Sequence, residues 1–255
     1  MSSNDSSSSQ KGSEKKGGLK DSILTIFYAA LIALSIRSFA YEPFSIPSGS
    51  MIPTLLVGDY LFVSKFSYGY SRFSLPLSLP ILPKRVLFSE PERGDVAVFR
   101  LPSDTDKDYI KRLVGLPGDT IQVKKGVLYI NQEAVRREQV EDFVIDDGFG
   151  RKRNIKRYTE TLPNGRKYFV NEEQGDEGLS DNTPVYTVPL GHYFAMGDNR
   201  DNSSDSRFLN NVGFIPKENL IGRAEIKFFS IDGAGWKIWQ WPTKARFSRF
   251  FDSIE

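Results

Sequence analysis

Two residues that lie far apart in the chain, Ser50 and Lys111, have the side chains needed for a nucleophile and its base. A serine hydroxyl attacks a carbonyl efficiently only when a neighbouring base removes its proton. Histidine is the usual base, but the chain has a single histidine, His192. The absence of cysteine excludes a thiol nucleophile, a disulfide framework and a cysteine zinc site. Lysine is the leading substitute base, so the pair suggests a Ser-Lys hydrolase.

The segments around both residues favour this chemistry. Ser50 follows a glycine, where the backbone can approach a substrate closely, and the Ser50 N–H and the Ser48 hydroxyl are candidate oxyanion donors. Lys111 lies in a predicted strand, on the same face as Tyr109 and Leu113. If that face is buried, desolvation lowers the pKa of the lysine and makes it a usable base. The alternatives are an ordinary turn serine and a surface lysine in an edge strand.

A third polar segment, residues 197–207 (GDNRDNSSDSR), contains three aspartates and two arginines. The spacing of its aspartates does not fit an EF-hand calcium loop, so we expect neither a metal nor a cofactor. We expect a hydrogen-bonded loop in which Asp198 and Asp205 pair with arginines and a serine hydroxyl reaches the lysine amine. The candidate arginines are Arg112, Arg200 and Arg207.

An apolar segment before Ser50 predicts a membrane anchor at residues 22–40, after a flexible tail at 1–21. Lysines precede this segment, so the positive-inside tendency places the N-terminus in the cytoplasm and everything after residue 40 outside. The nucleophile follows about ten residues later, within ~36 Å of the membrane exit. A cleavable signal peptide that ends near Ala40 and an ordinary buried helix are the alternatives.

After the anchor, helical periodicity is nearly absent, and short β-branched or aromatic runs alternate with glycine and proline turns. The predicted fold class is therefore mainly β. The predicted strands are Tyr60–Phe66, Val96–Phe99, Tyr109–Val114, Thr120–Val123, Val127–Ile130, Tyr193–Met196 and Ile221–Ile231.

Composition divides the soluble part into regions. Residues 41–130 and 188–232 hold the predicted strands and form a β catalytic core, while the polar, turn-rich residues 131–187 predict an inserted β subdomain. Residues 233–255 mix aromatic and basic side chains, which fits an interfacial segment or an element packed on the core. The apolar stretch 73–83 is interrupted by prolines and predicts a ribbon or loop at a sheet edge.

The charge balance gives no reason to expect nucleic acid as a partner. The chain has 34 lysines and arginines against 32 aspartates and glutamates, a formal net charge of +2. A basic run at 151–157 has no stacking-aromatic pattern around it, so we interpret it as a solvated loop or hairpin face.

These features together resemble bacterial type I signal peptidase, the membrane-bound leader peptidase family. The resemblance rests on the anchor and then, in family order, on the segments PSGSMIPTL, RGDVAVF, YIKRLVGLPGD and GDNRDNSSDSR. It implies a serine endopeptidase that removes signal peptides from secreted precursors after small residues, at sites of the Ala-x-Ala type. The site residues implied are Ser50 as nucleophile, Lys111 as general base, Ser48 with the Ser50 N–H as oxyanion hole, Ser203 as the hydroxyl that orients Lys111, and Asp205 as its support.

The resemblance also implies the fold and the setting. The family fold is an antiparallel β-sheet catalytic domain with an inserted smaller β subdomain, preceded here by one N-terminal transmembrane helix. The implied partners are precursor proteins that bear signal peptides and the lipid bilayer, with no nucleic acid and a monomeric enzyme. The implied location is the bacterial inner membrane, with the catalytic domain on the periplasmic or outer face. The pockets for small side chains would be lined by Phe44, Ile46, Pro47, Met51, Leu55, Val98, Tyr109 and Ile110.

Two other functions stay open at the level of sequence. One is a membrane-tethered, β-rich binding or assembly protein in which Ser50 and Lys111 are structural. The other is a related Ser-Lys protease that processes itself or one dedicated partner, such as a self-cleaving repressor or a conjugation-system peptidase. The anchor and the missing helix-turn-helix pattern disfavour the repressor.

Overall fold

One long helix followed by three antiparallel sheets makes up the fold. The computed structural model describes residues 19–75, 78, 80–146, 152–233, 235 and 237–254. The mainly β class predicted from sequence is confirmed. Most of the predicted tail, the first residue of the basic run and part of the proline-interrupted stretch lie outside the described residues.

The N-terminal helix α1 (Leu19–Phe39) is long and apolar enough to span a membrane. A helix of 21 residues extends about 31 Å, which matches the ~30 Å hydrocarbon core of a bilayer. Its candidate span, Lys20–Phe39, has a mean hydropathy of 1.8. Only 6% of that span is buried inside the protein, so α1 does not pack as a core helix. Pro43 follows shortly after the helix, inside an extended segment.

The described strands are sixteen. They are β1 (Tyr41–Ser45), β2 (Asp59–Ser64), β3 (Val96–Leu101), β4 (Asp104–Gly115), β5 (Thr120–Lys124), β6 (Val127–Ile130), β7 (Glu133–Ala134), β8 (Arg136–Gln139), β9 (Phe143–Asp146), β10 (Lys152–Thr161), β11 (Lys167–Glu172), β12 (Tyr186–Thr187), β13 (His192–Met196), β14 (Ile215–Pro216), β15 (Leu220–Ser230) and β16 (Asp252–Ser253).

The main sheet positions the candidate site. Its strand order is β1-β2-β15-β3-β4-β13-β14, and β16 also pairs with β15. β3 and β4 are antiparallel, with Ala97 opposite Lys111 and Val98 opposite Ile110. Pro43 lies in β1 at the edge of this sheet, where a residue without an N–H does not interrupt a ladder between two neighbours.

Two smaller sheets lie beside the main one. The first has the order β12-β5-β6-β7, and in the second β10 pairs with β8, β9 and β11. β7 and β12, from the predicted insertion, thus complete the sheet of β5 and β6. A single buried cluster also joins Val114 of β4 and Phe194 of β13 to Val170 of β11. The region 131–187 therefore shares a core with the main sheet, and its limits as a subdomain stay a prediction.

Each predicted strand overlaps an observed one, but several observed strands were not predicted. β1 contains a proline, and β10 has the polar sequence KRNIKRYTET, which has little apolar alternation. The stretch 73–83 begins inside the short 3₁₀ helix Arg72–Ser74, and its other described residues form no strand.

Part of the C-terminal segment packs on the core, and its interfacial role stays a prediction. Trp241 and Phe250 pack on Phe229 of β15, with ring centroids 4.6 Å and 5.3 Å away. Trp239 and Phe247 leave most of their surface exposed. Trp236 lies outside the described residues.

Candidate active site

The structure brings Ser50 and Lys111 into direct contact. Ser50 lies in the turn that follows β1, and Lys111 lies near the end of β4. The Lys111 Nζ donates to the Ser50 Oγ at 2.7 Å and to the carbonyl oxygen of Ile110 at 2.9 Å. This is the distance at which an amine and a hydroxyl can exchange a proton.

Burial makes Lys111 a better base than an ordinary lysine. Its side chain is 3% exposed, and desolvation lowers its pKa from 10.5 to about 8. The charges of Asp205 and Asp198 oppose this decrease. Among the described residues, no carboxylate lies within ion-pair distance of the Lys111 amine. A fraction of Lys111 is therefore neutral near pH 7 and can accept a proton.

Ser48 lies beside the nucleophile, as expected for an oxyanion donor. Its Oγ is 3.5 Å from the Ser50 Oγ. Within the described part of the chain, the Ser50 N–H donates no backbone hydrogen bond. Both donors are thus available near the point where a scissile carbonyl would be attacked.

The polar loop at 197–207 docks on the turn that carries the nucleophile. The Asn199 N–H donates to the Ser50 carbonyl oxygen at 3.1 Å, and the Asn199 side-chain amide donates to the Gly49 carbonyl oxygen at 3.0 Å. A Cβ on Gly197 would lie 2.5 Å from the Ser50 carbonyl oxygen and would overlap Ser203, so only glycine fits there. Sequence analysis did not identify Asn199 or Gly197 as site residues, because their partners are about 150 positions away.

Asp205 anchors the far end of this loop. Its buried carboxylate accepts two hydrogen bonds from the Arg207 guanidinium, each 2.9 Å, one from the Arg207 N–H at 3.2 Å and one from the Gly197 N–H at 3.0 Å. Burial raises the pKa of Asp205, but Arg207 and the Gly197 N–H outweigh it and hold the pKa below its usual value. The Ser203 Oγ lies close enough to help lower this pKa, yet meets no described partner at hydrogen-bond geometry. The assignment of Ser203 and Asp205 as orienting residues stays a prediction.

A second buried ion pair connects the loop to β4. Arg112 donates two hydrogen bonds to Asp198, at 2.9 Å and 2.8 Å, and Asp198 also accepts the Thr54 hydroxyl. The Arg112 guanidinium lies 4.1 Å from the ring centre of Tyr168. Arg200 binds neither aspartate; its partner is Glu160 of β10. These contacts fix β4, and with it Lys111, against the loop.

A cavity of about 660 Å³ is lined by chain neighbours of Ser50 and Lys111 and extends to α1, although neither Ser50 nor Lys111 itself lines it. Six of the predicted pocket residues line it: Phe44, Ile46, Pro47, Val98, Tyr109 and Ile110. Met51 and Leu55 do not line it, because both are fully buried in the core cluster beneath it. The cavity wall also includes charged side chains at the α1 end, among them Glu42 and Lys65.

Comparison with known proteins gives consistent matches. A family model described as signal peptidase, peptidase S26, matches residues 19–229. Signal peptidase I of Rickettsia typhi (strain ATCC VR-144 / Wilmington) is 41% identical over 254 residues, which covers 92% of this chain and 94% of that relative. Signal peptidase I of Rickettsia canadensis (strain McKiel) is 42% identical over 245 residues and covers 89% and 90%. A crystal structure of a signal peptidase I from Enterococcus faecalis V583 is 27% identical and covers 53% of this chain and 97% of that one, with a TM-score of 0.31.

Proposed function

This chain belongs to the signal peptidase family, peptidase S26, and is a serine endopeptidase; we propose that Ser50 and Lys111 form the catalytic dyad that removes signal peptides from secreted precursors. The observation that carries the dyad is the 2.7 Å contact between a buried lysine amine and a serine hydroxyl. The absence of a carboxylate partner for that amine among the described residues supports its role as a base rather than as a structural cation.

In the first step, neutral Lys111 accepts the Ser50 proton as the Ser50 Oγ attacks the scissile carbonyl carbon. The hydrogen bond from the amine to the Ile110 carbonyl oxygen orients the nitrogen, so its lone pair faces the hydroxyl. The Ser48 hydroxyl and the Ser50 N–H then stabilise the tetrahedral oxyanion. When the peptide bond breaks, the Lys111 ammonium gives its proton to the departing amine, and the signal peptide remains as an ester on Ser50.

In the second step, water hydrolyses this ester. Lys111, neutral again, takes a proton from the water as its oxygen attacks the ester carbonyl, and the same two donors stabilise the second oxyanion. The proton then returns to the Ser50 oxygen as the ester bond breaks, which releases the signal peptide. These steps need no metal or organic cofactor.

We propose that the cavity beside the dyad selects small side chains, as at Ala-x-Ala sites. Its lining includes the apolar residues Ile46, Pro47, Val98 and Ile110. A large residue before the cut would collide with these packed side chains, and the cost of overpacking a rigid wall is typically 1–3 kcal/mol. Met51 and Leu55 would act from beneath, by supporting this wall.

We propose that α1 is a single-pass anchor in the bacterial inner membrane, with the N-terminus in the cytoplasm and the catalytic domain on the opposite face. The family match begins at residue 19 and so includes α1, which supports an anchor over a cleaved signal peptide. Precursors that are still held in the bilayer would meet a monomeric enzyme in two dimensions, which raises their effective concentration.

The dyad is tested with full-length protein in detergent and a precursor that carries an Ala-x-Ala site. Ser50→Ala should lower kcat/KM by at least about 10⁴-fold, because the attacking hydroxyl is removed. The exposed Ser89, which does not line the cavity, provides the matched control, and Ser89→Ala should cleave at the wild-type rate. Retained cleavage by folded Ser50→Ala protein would refute the dyad.

A panel of unrelated secretory precursors separates the proposal from a dedicated peptidase. We expect cleavage of most of the panel and a block when the residue before the cut is changed from Ala to Phe. Cleavage of a single precursor, or of this chain alone, would instead support a protease with one partner.

A further inference from the structure

Three carboxylates from separate segments meet at the 197–207 loop. They belong to Glu172 at the end of β11, Asp181 in the connection to β12, and Asp201 in the loop. One oxygen from each lies within 4.8 Å of an oxygen from the other two.

Two of these carboxylates are buried and have oxygens without partners. Glu172 and Asp181 are each 1% exposed. Both Glu172 oxygens and the Asp181 Oδ1 are inaccessible to solvent and accept no hydrogen bond from the described residues. A buried carboxylate oxygen without a donor is costly, because its lost hydration is not replaced.

The remaining oxygens are held in place by the backbone. The Gly178 N–H donates to the Asp181 Oδ2 at 2.6 Å, and the Gln174 N–H donates to the Asp201 Oδ2 at 2.7 Å. Gly178 lies so close that a Cβ there would be 2.6 Å from the Asp201 Oδ1. Each aspartate thus has one oxygen fixed and a second that is free to bind a ligand.

Nearby cations do not neutralise the cluster. Arg137 lies 3.5 Å from Glu172 but shares its charge with Asp176, at 2.9 Å. Arg200 is held by Glu160, and Arg207 is held by Asp205. Each of these three arginines is thus shared with, or held by, a carboxylate outside the cluster.

We propose that Glu172, Asp181 and Asp201 bind a calcium ion. Ca²⁺ prefers oxygen ligands, tolerates irregular geometry and takes six to eight ligands, which three carboxylates and a few waters can supply. The donor set contains no nitrogen or sulfur atom, which disfavours zinc and copper. The spacing of the aspartates inside 197–207 does not indicate this metal site, because the site takes one ligand from each of three segments.

Bound calcium would fasten the polar loop to β11. Asp201 lies between Asn199, which binds the turn of Ser50, and Asp205, which holds Gly197. The ion would replace the repulsion among three carboxylates by three attractive contacts, so it should stabilise the folded protein.

The test is the thermal unfolding of full-length protein in detergent after treatment with EDTA. At constant ionic strength, a CaCl₂ concentration about a hundred times the Kd of this site for Ca²⁺ should raise the Tm by roughly 5–10 °C. The same concentration of MgCl₂ should raise the Tm less. Glu172→Gln and Asp201→Asn should remove this increase. Without calcium, Glu172→Gln should melt above the wild type because a buried carboxylate without a hydrogen-bond donor is gone, which shows that the variant folds.

Glu177→Gln is the matched control, since it removes an exposed neighbouring carboxylate outside the cluster and should keep the calcium response. An equal response in Glu177→Gln and Asp201→Asn would mean that calcium binds elsewhere, and the proposal would fail. It would fail equally if calcium left the wild-type Tm unchanged while Glu172→Gln still melted higher, because the carboxylates would then share a proton. A larger response to magnesium would overturn the assignment to calcium.

Discussion

Two lysines are buried to nearly the same extent, one beside Ser50 and one at the α1 end of the neighbouring cavity. Lys111 is 3% exposed, and its amine contacts the Ser50 hydroxyl and the Ile110 carbonyl oxygen. Lys65 is 2% exposed, and its amine contacts the Glu42 carboxylate at 2.9 Å and the Ser74 carbonyl oxygen at 2.6 Å. The two surroundings differ by one carboxylate.

We infer that this difference suits Lys111 to act as a base and Lys65 to act as a structural partner of Glu42. Burial disfavours an ammonium ion in both regions, but at Lys65 an adjacent carboxylate compensates the charge. At Lys111 the nearest acidic groups, Asp198 and Asp205, are each held by an arginine and act only over a distance. Burial without a carboxylate partner, rather than burial alone, lowers the pKa of Lys111 to about 8, so a fraction of this amine is neutral near pH 7.

The largest expected effect is on catalysis. Lys111→Met should lower kcat/KM by at least about 10⁴-fold, because the Ser50 hydroxyl loses its base. Lys65→Met keeps the dyad intact and should stay within about tenfold of the wild type. Steady-state cleavage of a signal-peptide substrate by both purified variants checks this contrast. Equal losses in the two variants would mean that the cavity as a whole, and not one amine, determines the rate.

The second expected effect is on the free energy of unfolding, which should change in opposite directions in Lys111→Met and Lys65→Met. At pH 7 most of Lys111 is charged in the folded protein, although burial lowers its pKa to about 8 from 10.5 for an ordinary lysine. This buried charge lowers the stability of the wild type, so Lys111→Met should raise the free energy of unfolding by about 3 kcal/mol. Lys65→Met leaves Glu42 without one of its partners and should lose about 2–3 kcal/mol. Denaturant unfolding of both variants measures the two changes.

The gain in Lys111→Met should also depend on pH in one direction. A lowered pKa in the folded state means that the unfolded chain binds more protons, so wild-type stability rises as the pH goes from about 8 to 10.5. The advantage of Lys111→Met should therefore shrink over that range. An advantage that stays constant would place the origin of the gain in packing instead of charge.

The last expected effect is the pH dependence of cleavage. The neutral fraction of Lys111 falls about tenfold for each pH unit below its pKa of about 8, so kcat/KM should follow the same slope on the acid side. A profile of kcat/KM between about pH 5.5 and 9.5 tests this slope. Full activity down to about pH 6 would contradict a lysine base, because an amine with a pKa of about 8 is almost wholly protonated at that pH.

Sequence and structure agree where local composition is strong. The strands rich in Val, Ile and Phe follow from their composition, and α1 follows from its uncharged length. Composition does not predict β10, because its polar sequence KRNIKRYTET becomes a strand only by pairing with three neighbouring strands. Its buried Glu160 then binds Arg200, a pair that no local pattern indicates.

By itself, the sequence determined the chemical groups: one serine in a glycine turn, one lysine in a strand, and a loop of aspartates and arginines that resembles a known family. Tertiary structure decided what surrounds them. Among the described residues, Lys111 is buried beside Ser50 and has no carboxylate partner, while each nearby aspartate binds an arginine. Lys65 has the same side chain but lies against Glu42. The protonation of a lysine depends on such distant neighbours, and a linear sequence does not contain their distances.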